Sequence, residues 1–112
     1  MIMTENESRA LKRLKRKLIN EVTWIYISHL LLKHKSLTLS EIKSLLRKEY
    51  NIKINSVSLY TMIYRLLDDG LLEKTGDTPP KFKLSEYGRI QYKKGLVFIE
   101  EQLYLLKKDL GI

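Results

Sequence analysis

Along residues 8–34 the positions Leu11, Leu14, Leu18, Val22, Ile25, His29 and Leu32 recur at steps of three and four. That spacing keeps one stripe on one helical face, and no Gly or Pro interrupts the run. The two halves differ in character. Arg9, Lys12, Arg13, Lys15, Arg16 and Lys17 crowd the first half and are too many for one side. Residues 22–32, VTWIYISHLLL, are nearly apolar all round and read as buried. The run is therefore either one helix or two segments, an exposed basic arm and a core helix. Residues 1–7 carry no such pattern and read as a frayed end.

Thr38-Leu-Ser-Glu41 matches a capping box and opens a helix over residues 39–49, with Ile42, Leu45 and Leu46 inward and Lys43, Arg47 and Lys48 outward. Asn55 is a good N-cap for a helix over residues 56–69, and Gly70 suits the left-handed position past its end. On that helix Leu59, Met62, Ile63 and Leu66 share one side. Val57, Ser58, Thr61, Tyr64 and Arg65 share the other, and Tyr60 falls at the edge, where it reads as core. Residues 71–75 and 81–84 read as strands around Gly76-Asp-Thr-Pro-Pro80, a loop that two prolines keep from being helical. Phe82 and Leu84 alternate with Lys81 and Lys83, so one face of the second strand packs inward.

Ser85 can cap a last helix over residues 86–110. Tyr92, Leu96, Ile99, Leu103, Leu106 and Leu110 are spaced 4, 3, 4, 3, 4, a heptad seam under three heptads long. About 25 residues of helix would extend roughly 37 Å, too far to lie wholly on so small a core. The seam therefore needs a partner, most simply an identical chain. Gly95 inside it marks a bend or a close helix approach. The order helix, helix, helix, strand, strand, helix predicts a mainly α (α+β) fold. It is a winged helix-turn-helix with a two-stranded wing and a long C-terminal dimerisation helix. We read one domain: residues 1–17 a basic arm, 18–85 the winged-helix core and 86–112 the dimerisation helix.

Charge changes the picture from fold to partner. The 112 residues carry 21 Lys and Arg against 13 Asp and Glu, a net charge of +8. Such an excess in a small domain points to a polyanion, nucleic acid first and an anionic membrane surface second; the bland alternative is solubility alone. No cysteine is present, which removes disulfides, thiolate metal sites and a cysteine nucleophile. The eleven-residue uncharged run is too short to span a bilayer, and no small-x-small cleavage site follows it, so neither membrane insertion nor export is expected. A cytoplasmic location follows, at the nucleoid if the host is prokaryotic. There is no P-loop, GxGxxG, HExxH or G-x-S-x-G motif, and no enzyme, metal or cofactor is expected. His29 reads as an interior or interface histidine and His34 as a cation at a helix C-terminus.

Residues 55–72, NSVSLYTMIYRLLDDGLL, resemble the recognition-helix stretch of PadR-like transcription regulators. The matching positions are Leu59-Tyr60, Arg65-Leu66, Asp68-Asp69 and Gly70-Leu71. Residues 80–89, PKFKLSEYGR, resemble that family's wing strand and the start of its last helix; the related MarR-like regulators share part of the pattern. Leu39-Ser40 stands where the family usually has Gly-Tyr, and the basic arm is additional. The resemblance implies a dimeric repressor or activator whose C-terminal helix pairs with its mate and with the N-terminal helix.

On this reading Ser56, Val57, Ser58, Thr61, Tyr64 and Arg65 face a major groove, with Arg65 suited to guanine O6 and N7. Lys74, Lys81 and Lys83 would touch phosphates from the wing. For Arg9, Lys12, Arg13, Arg16 and Lys17 two readings stand equally, contact with DNA or a solvated helix face. Leu11, Leu14, Leu18, Trp24 and the seam from Tyr92 to Leu110 would form the homodimer interface, Trp24 more as a packing anchor than as the wall of a ligand cavity. Nothing in the sequence supports a small-molecule effector. The expected function is a sequence-specific double-stranded DNA-binding regulator. The alternatives are a protein-interaction adaptor using the Tyr64 face and a sequence-indifferent architectural protein.

Overall fold

The change from basic to apolar residues near position 21 becomes a break between two helices. The computed structural model describes residues 6–111, so most of the end expected to fray lies outside the described residues. Helix α1 (Arg9–Asn20) starts at Ser8, whose hydroxyl accepts from the Leu11 N–H at 3.0 Å, and buries no residue. Helix α2 (Thr23–His34) follows after a turn at Glu21 and Val22. No Gly or Pro makes this break; the Thr23 hydroxyl donates back to the Ile19 carbonyl across it.

The single stripe expected from Leu11 to Leu32 is therefore cut in two. Helix α2 buries Thr23, Ile27, Ser28, Leu30 and Leu31. Ile25 and His29 are half-buried, and Leu32 is 42% exposed. The reason is geometric. Helix α2 packs against the third and last helices and against a strand, so these neighbours, not the register of α1, decide which side is covered.

Two residues after α2, Leu37–Thr38 form strand β1, and helix α3 (Leu39–Tyr50) starts at once. Both halves of the capping box form: the Glu41 N–H donates to the Thr38 hydroxyl at 3.2 Å, and the Thr38 N–H donates to the Glu41 carboxylate at 2.8 Å. Ile42 and Leu46 are buried and Leu45 partly so. Asn51 adopts φ 58° to end the helix, and Ile52 inserts into the core, pinning the connector.

Helix α4 (Ser56–Asp68) has Asn55 as its N-cap, accepting from the Ser58 N–H at 2.8 Å. It ends in a Schellman motif. The Gly70 N–H donates to Leu67 and the Leu71 N–H to Leu66, both at 3.0 Å, with Gly70 at φ +82°. Strands β2 (Leu72–Thr75) and β3 (Lys81–Leu84) form the antiparallel hairpin, pairing Leu72 with Leu84 and Thr75 with Lys81. Strand β1 pairs with β3 on its other edge, Leu37 with Phe82 and Thr38 with Lys81, giving the order β1-β3-β2. The sheet is thus three-stranded, one strand more than the hairpin alone.

Ser85 locks the last helix, α5 (Glu86–Lys107), to the end of α4. Its hydroxyl accepts from the Gly88 N–H at 2.8 Å and lies 2.6 Å from the Gly70 carbonyl, to which it donates. The approach is so close that a Cβ on Gly88 would fall 2.1 Å from the Leu71 carbonyl oxygen. Ile27, Leu30, Ile42, Leu46, Leu59, Ile63 and Phe82 are the largest fully buried apolar side chains, between α2, α3, α4 and the sheet. Only the first half of α5 reaches this core. A 3₁₀ turn at Lys108–Leu110 tightens the end expected to continue as α-helix.

Candidate nucleic-acid interface

Burying Leu59, Ile63 and Leu66 turns the opposite side of α4 to solvent. Val57 and Thr61, one turn apart, occupy the middle of that side. Val57 is 77% exposed, and the Thr61 hydroxyl donates to the Val57 carbonyl at 3.0 Å. Asp68 continues the same stripe at the end of the helix.

The two flanks of α4 differ. On the wing side, Tyr60, Tyr64 and Phe82 form a graded aromatic series. Tyr60 and Tyr64 have ring centroids 4.5 Å apart, and Tyr64 meets the buried Phe82 ring edge-on at 5.9 Å. This reverses the two expectations for the tyrosines. Tyr60 is 53% exposed, whereas Tyr64 is half-buried against the wing strand. The reason is that Phe82 of β3 meets Tyr64 edge-on, one turn along the helix from Tyr60. These rings, with Leu39, Pro79 and Pro80, line a cleft of about 520 Å³ between helix and wing.

On the other flank, Ser58 and Met62 share a recess with Asn20, Thr23 and Lys53. Arg65 lines a neighbouring recess of about 300 Å³ with Glu21, Trp24 and Asp69. The end of α1 therefore lies beside Ser58 and Arg65, and the basic arm leads away from this flank.

At the start of α4, Lys43 donates to the Ser56 hydroxyl at 2.8 Å. Lys43, Arg47 and Lys53 line one shallow recess together with Ile52 and Ile54. Lys43 and Arg47, expected on an outward face of α3, meet Lys53 at the start of α4. The connector does that, by folding α4 back across α3. The alternation of Ile52 and Ile54 with Asn51, Lys53 and Asn55 in the five-residue linker was the available signal.

The wing lysines divide between two faces. Lys81 and Lys83 alternate with Phe82 and share the outer face of the sheet, whereas Lys74 pairs opposite Phe82 and belongs to the other. Lys83 lies 3.4 Å from the Glu73 carboxylate across the hairpin. Lys81 sits near enough to Glu41 to help hold its carboxyl below the ordinary value, an effect led by the hydrogen bond from the Thr38 backbone.

Arg9, Lys12, Arg13, Arg16 and Lys17 are all exposed on α1 beside the exposed Leu11, Leu14 and Leu18. Trp24 and Ile25 pack onto α5 at Gly95, where an added Cβ would come within 3.1 Å of Ile25 and 3.3 Å of Trp24. Gly95 thus marks a close approach of α2 and α5 within the chain. Tyr92 is half-buried, and Leu96, Ile99, Leu103, Leu106 and Leu110 are exposed, Leu106 at 73%.

Tyr26, His29 and Tyr50 cluster with tilted rings, the Tyr26 and Tyr50 centroids 5.1 Å apart and the Tyr50 hydroxyl bonded to His29 Nδ1. Burial, with smaller contributions from Glu49, Tyr92 and Tyr26, pushes the Tyr50 phenol up to about 12. Tyr50 therefore stays protonated. Among the described residues no group of three His, Cys, Asp or Glu is placed to hold a metal ion, and no helix is long and apolar enough to cross a membrane.

The arrangement of helices and hairpin is a winged helix with a long C-terminal helix. The chain is similar to the structure of F93 from STIV, a winged-helix DNA-binding protein, with a TM-score of 0.61 and 23% identity over 70% of this chain and 86% of that one. It is also similar to a transcriptional regulator from Clostridium thermocellum, Cth-833, with a TM-score of 0.71 and 20% identity over 82% of this chain and 93% of that one. No protein-family model matches the chain, and no curated protein matches it.

Proposed function

We propose that the chain is a transcription regulator of PadR-like type, binding specific double-stranded DNA sequences as a homodimer. The observation that carries this reading is the outward face of α4. It is left open by the core, bordered by the wing on one side and met at its start by Lys43, Arg47 and Lys53. A helix so presented fits a major groove, with the surrounding cations on phosphates of the groove walls. Winged-helix neighbours described as a DNA-binding protein and a transcriptional regulator support the same reading. The PadR-like assignment rests on residues 55–72 and 80–89.

In this reading Ser56, Val57, Ser58, Thr61 and Arg65 meet base edges or phosphates, and Tyr64 acts mainly by setting the position of the wing. Lys81 and Lys74 reach flanking backbone more readily than Lys83, which already has Glu73. The apolar second half of α5, with Leu11, Leu14 and Leu18 of α1, closes against a second copy. The two α4 helices then stand about 34 Å apart, one turn of DNA. Selection of bound fragments from a random duplex library tests this. The expected product is an enriched inverted repeat with half-sites about 10–10.5 base pairs apart. Recovery of unenriched DNA would leave only a sequence-indifferent binder.

A further inference from the structure

We infer that α4 reads DNA chiefly through the 5-methyl groups of thymine, using Val57 and the methyl of Thr61. This rests on the proposed DNA-binding reading and specifies what that surface recognises. From residue 56 to 68 the chain has no Asn, Gln or Lys, the side chains that pair with adenine or guanine edges along with Arg. The single arginine, Arg65, sits on a flank and lines a recess with Glu21 and Asp69. Ser56 is engaged by Lys43, and Ser58 faces the recess beside Asn20.

What remains in the middle of the open face is Val57, 77% exposed, and Thr61 one turn on. The Thr61 hydroxyl proton is committed to the Val57 carbonyl, so the side chain offers a partner its methyl and an oxygen that can only accept. Asp68, next on the same stripe, confines the DNA-facing part to the first two turns, because a carboxylate is repelled by phosphate. An apolar centre flanked at its start by Lys43, Arg47 and Lys53 complements a groove with charged walls and methyl groups on its floor. In the major groove only thymine presents such a methyl.

The test uses the full chain and two duplexes: alternating A·T DNA and the same duplex with every thymine replaced by uracil, which removes only the methyls. Burying one methyl favours binding by about fourfold, so two per protomer, four in the proposed dimer, should give a preference for the thymine duplex on the order of a hundredfold. Thr61→Ser deletes the methyl and keeps the hydroxyl; Val57→Ser removes the exposed methyls at a position outside the core. Each variant should reduce the preference for the thymine duplex to on the order of tenfold. Equal affinity of the wild type for both duplexes overturns methyl reading and leaves DNA binding standing. A preference undiminished in both variants also overturns it and assigns the discrimination to groove shape. Failure to bind either duplex at low salt overturns the DNA-binding reading itself.

Discussion

Helices α4 and α5 both turn large apolar side chains to solvent, but they do so differently. On α4 the exposed apolar groups, Val57 and Tyr60, are few and framed by polar side chains, with Lys43 and Lys53 at the start of the helix. On the second half of α5, Leu96, Val97, Phe98, Ile99, Leu103, Tyr104, Leu105 and Leu106 are exposed on nearly every side, as is Leu110 in the 3₁₀ turn beyond it. The first pattern leaves water and counterions easy access and suits a polyanion. The second is costly in water at about 25 cal/mol for each Å² left uncovered, and suits another apolar surface. Exposed hydrophobicity therefore has two meanings in one small chain, and the surrounding charge separates them.

The largest expected effect comes from the anchor that holds both helices to one frame. Gly88→Ala would drive a methyl into the Leu71 carbonyl, where backbone cannot yield. We expect a loss of about 3 kcal/mol or more in urea unfolding, against a smaller loss for Gly95→Ala, whose neighbours are the movable ends of Ile25 and Trp24. Equal effects would mean that the start of α5 is not seated as described.

Next in size is the loss of the proposed second copy. Placing aspartates at both Leu103 and Leu106 should give a folded monomer by sedimentation velocity and circular dichroism. DNA affinity should then fall on the order of a hundredfold, as two linked readers become one. A dimer that survives this change would place its interface elsewhere.

Smaller again is the division of labour around α4. Arg65→Ala, on the flank of α4, should remove about 1 kcal/mol from a preferred site and little from random DNA. Lys43→Ala should weaken all sequences alike and lower the salt slope by about 1. Titration of both variants against both DNA classes checks this, and identical profiles would erase the distinction between reading and positioning residues.

The smallest effect is the capping box that orients α3, and with it Lys43. The hydrogen bond from the Thr38 backbone keeps the Glu41 carboxyl below its ordinary value of 4.5. Because the folded value lies below the unfolded one, the cap contributes fully above about pH 4.5 and is lost as pH falls through the folded value. In urea melts, Glu41→Gln should differ from the wild type at pH 6 and converge with it at acid pH; a constant difference would show that the carboxylate charge does not matter to the cap.

Much of the architecture was legible in local chemistry. Thr38–Glu41, Asn55, Gly70 and Ser85 mark element ends through bonds between neighbours, and all four act as the sequence implied. What was not legible depends on contacts between distant segments. Strand β1 is two residues long, too short to have a period, and exists because β3 pairs with it. The faces of α2, and the exchange between Tyr60 and Tyr64, follow from which neighbour packs alongside. Lys43, Arg47 and Lys53 come together only through the fold-back at Ile52. In the site, the outward face of α4 was visible from helical period, whereas the split of Lys74 from Lys81 and Lys83 needed the register of the hairpin.

The most direct test of the central claim is the salt dependence of binding to a fluorescent duplex, measured by anisotropy from low to physiological ionic strength. If the dimer engages about six phosphates, log K should fall with log [salt] at a slope near −5. Binding that is absent at low salt, or that does not change across this range, would contradict a surface built around α4 to hold DNA.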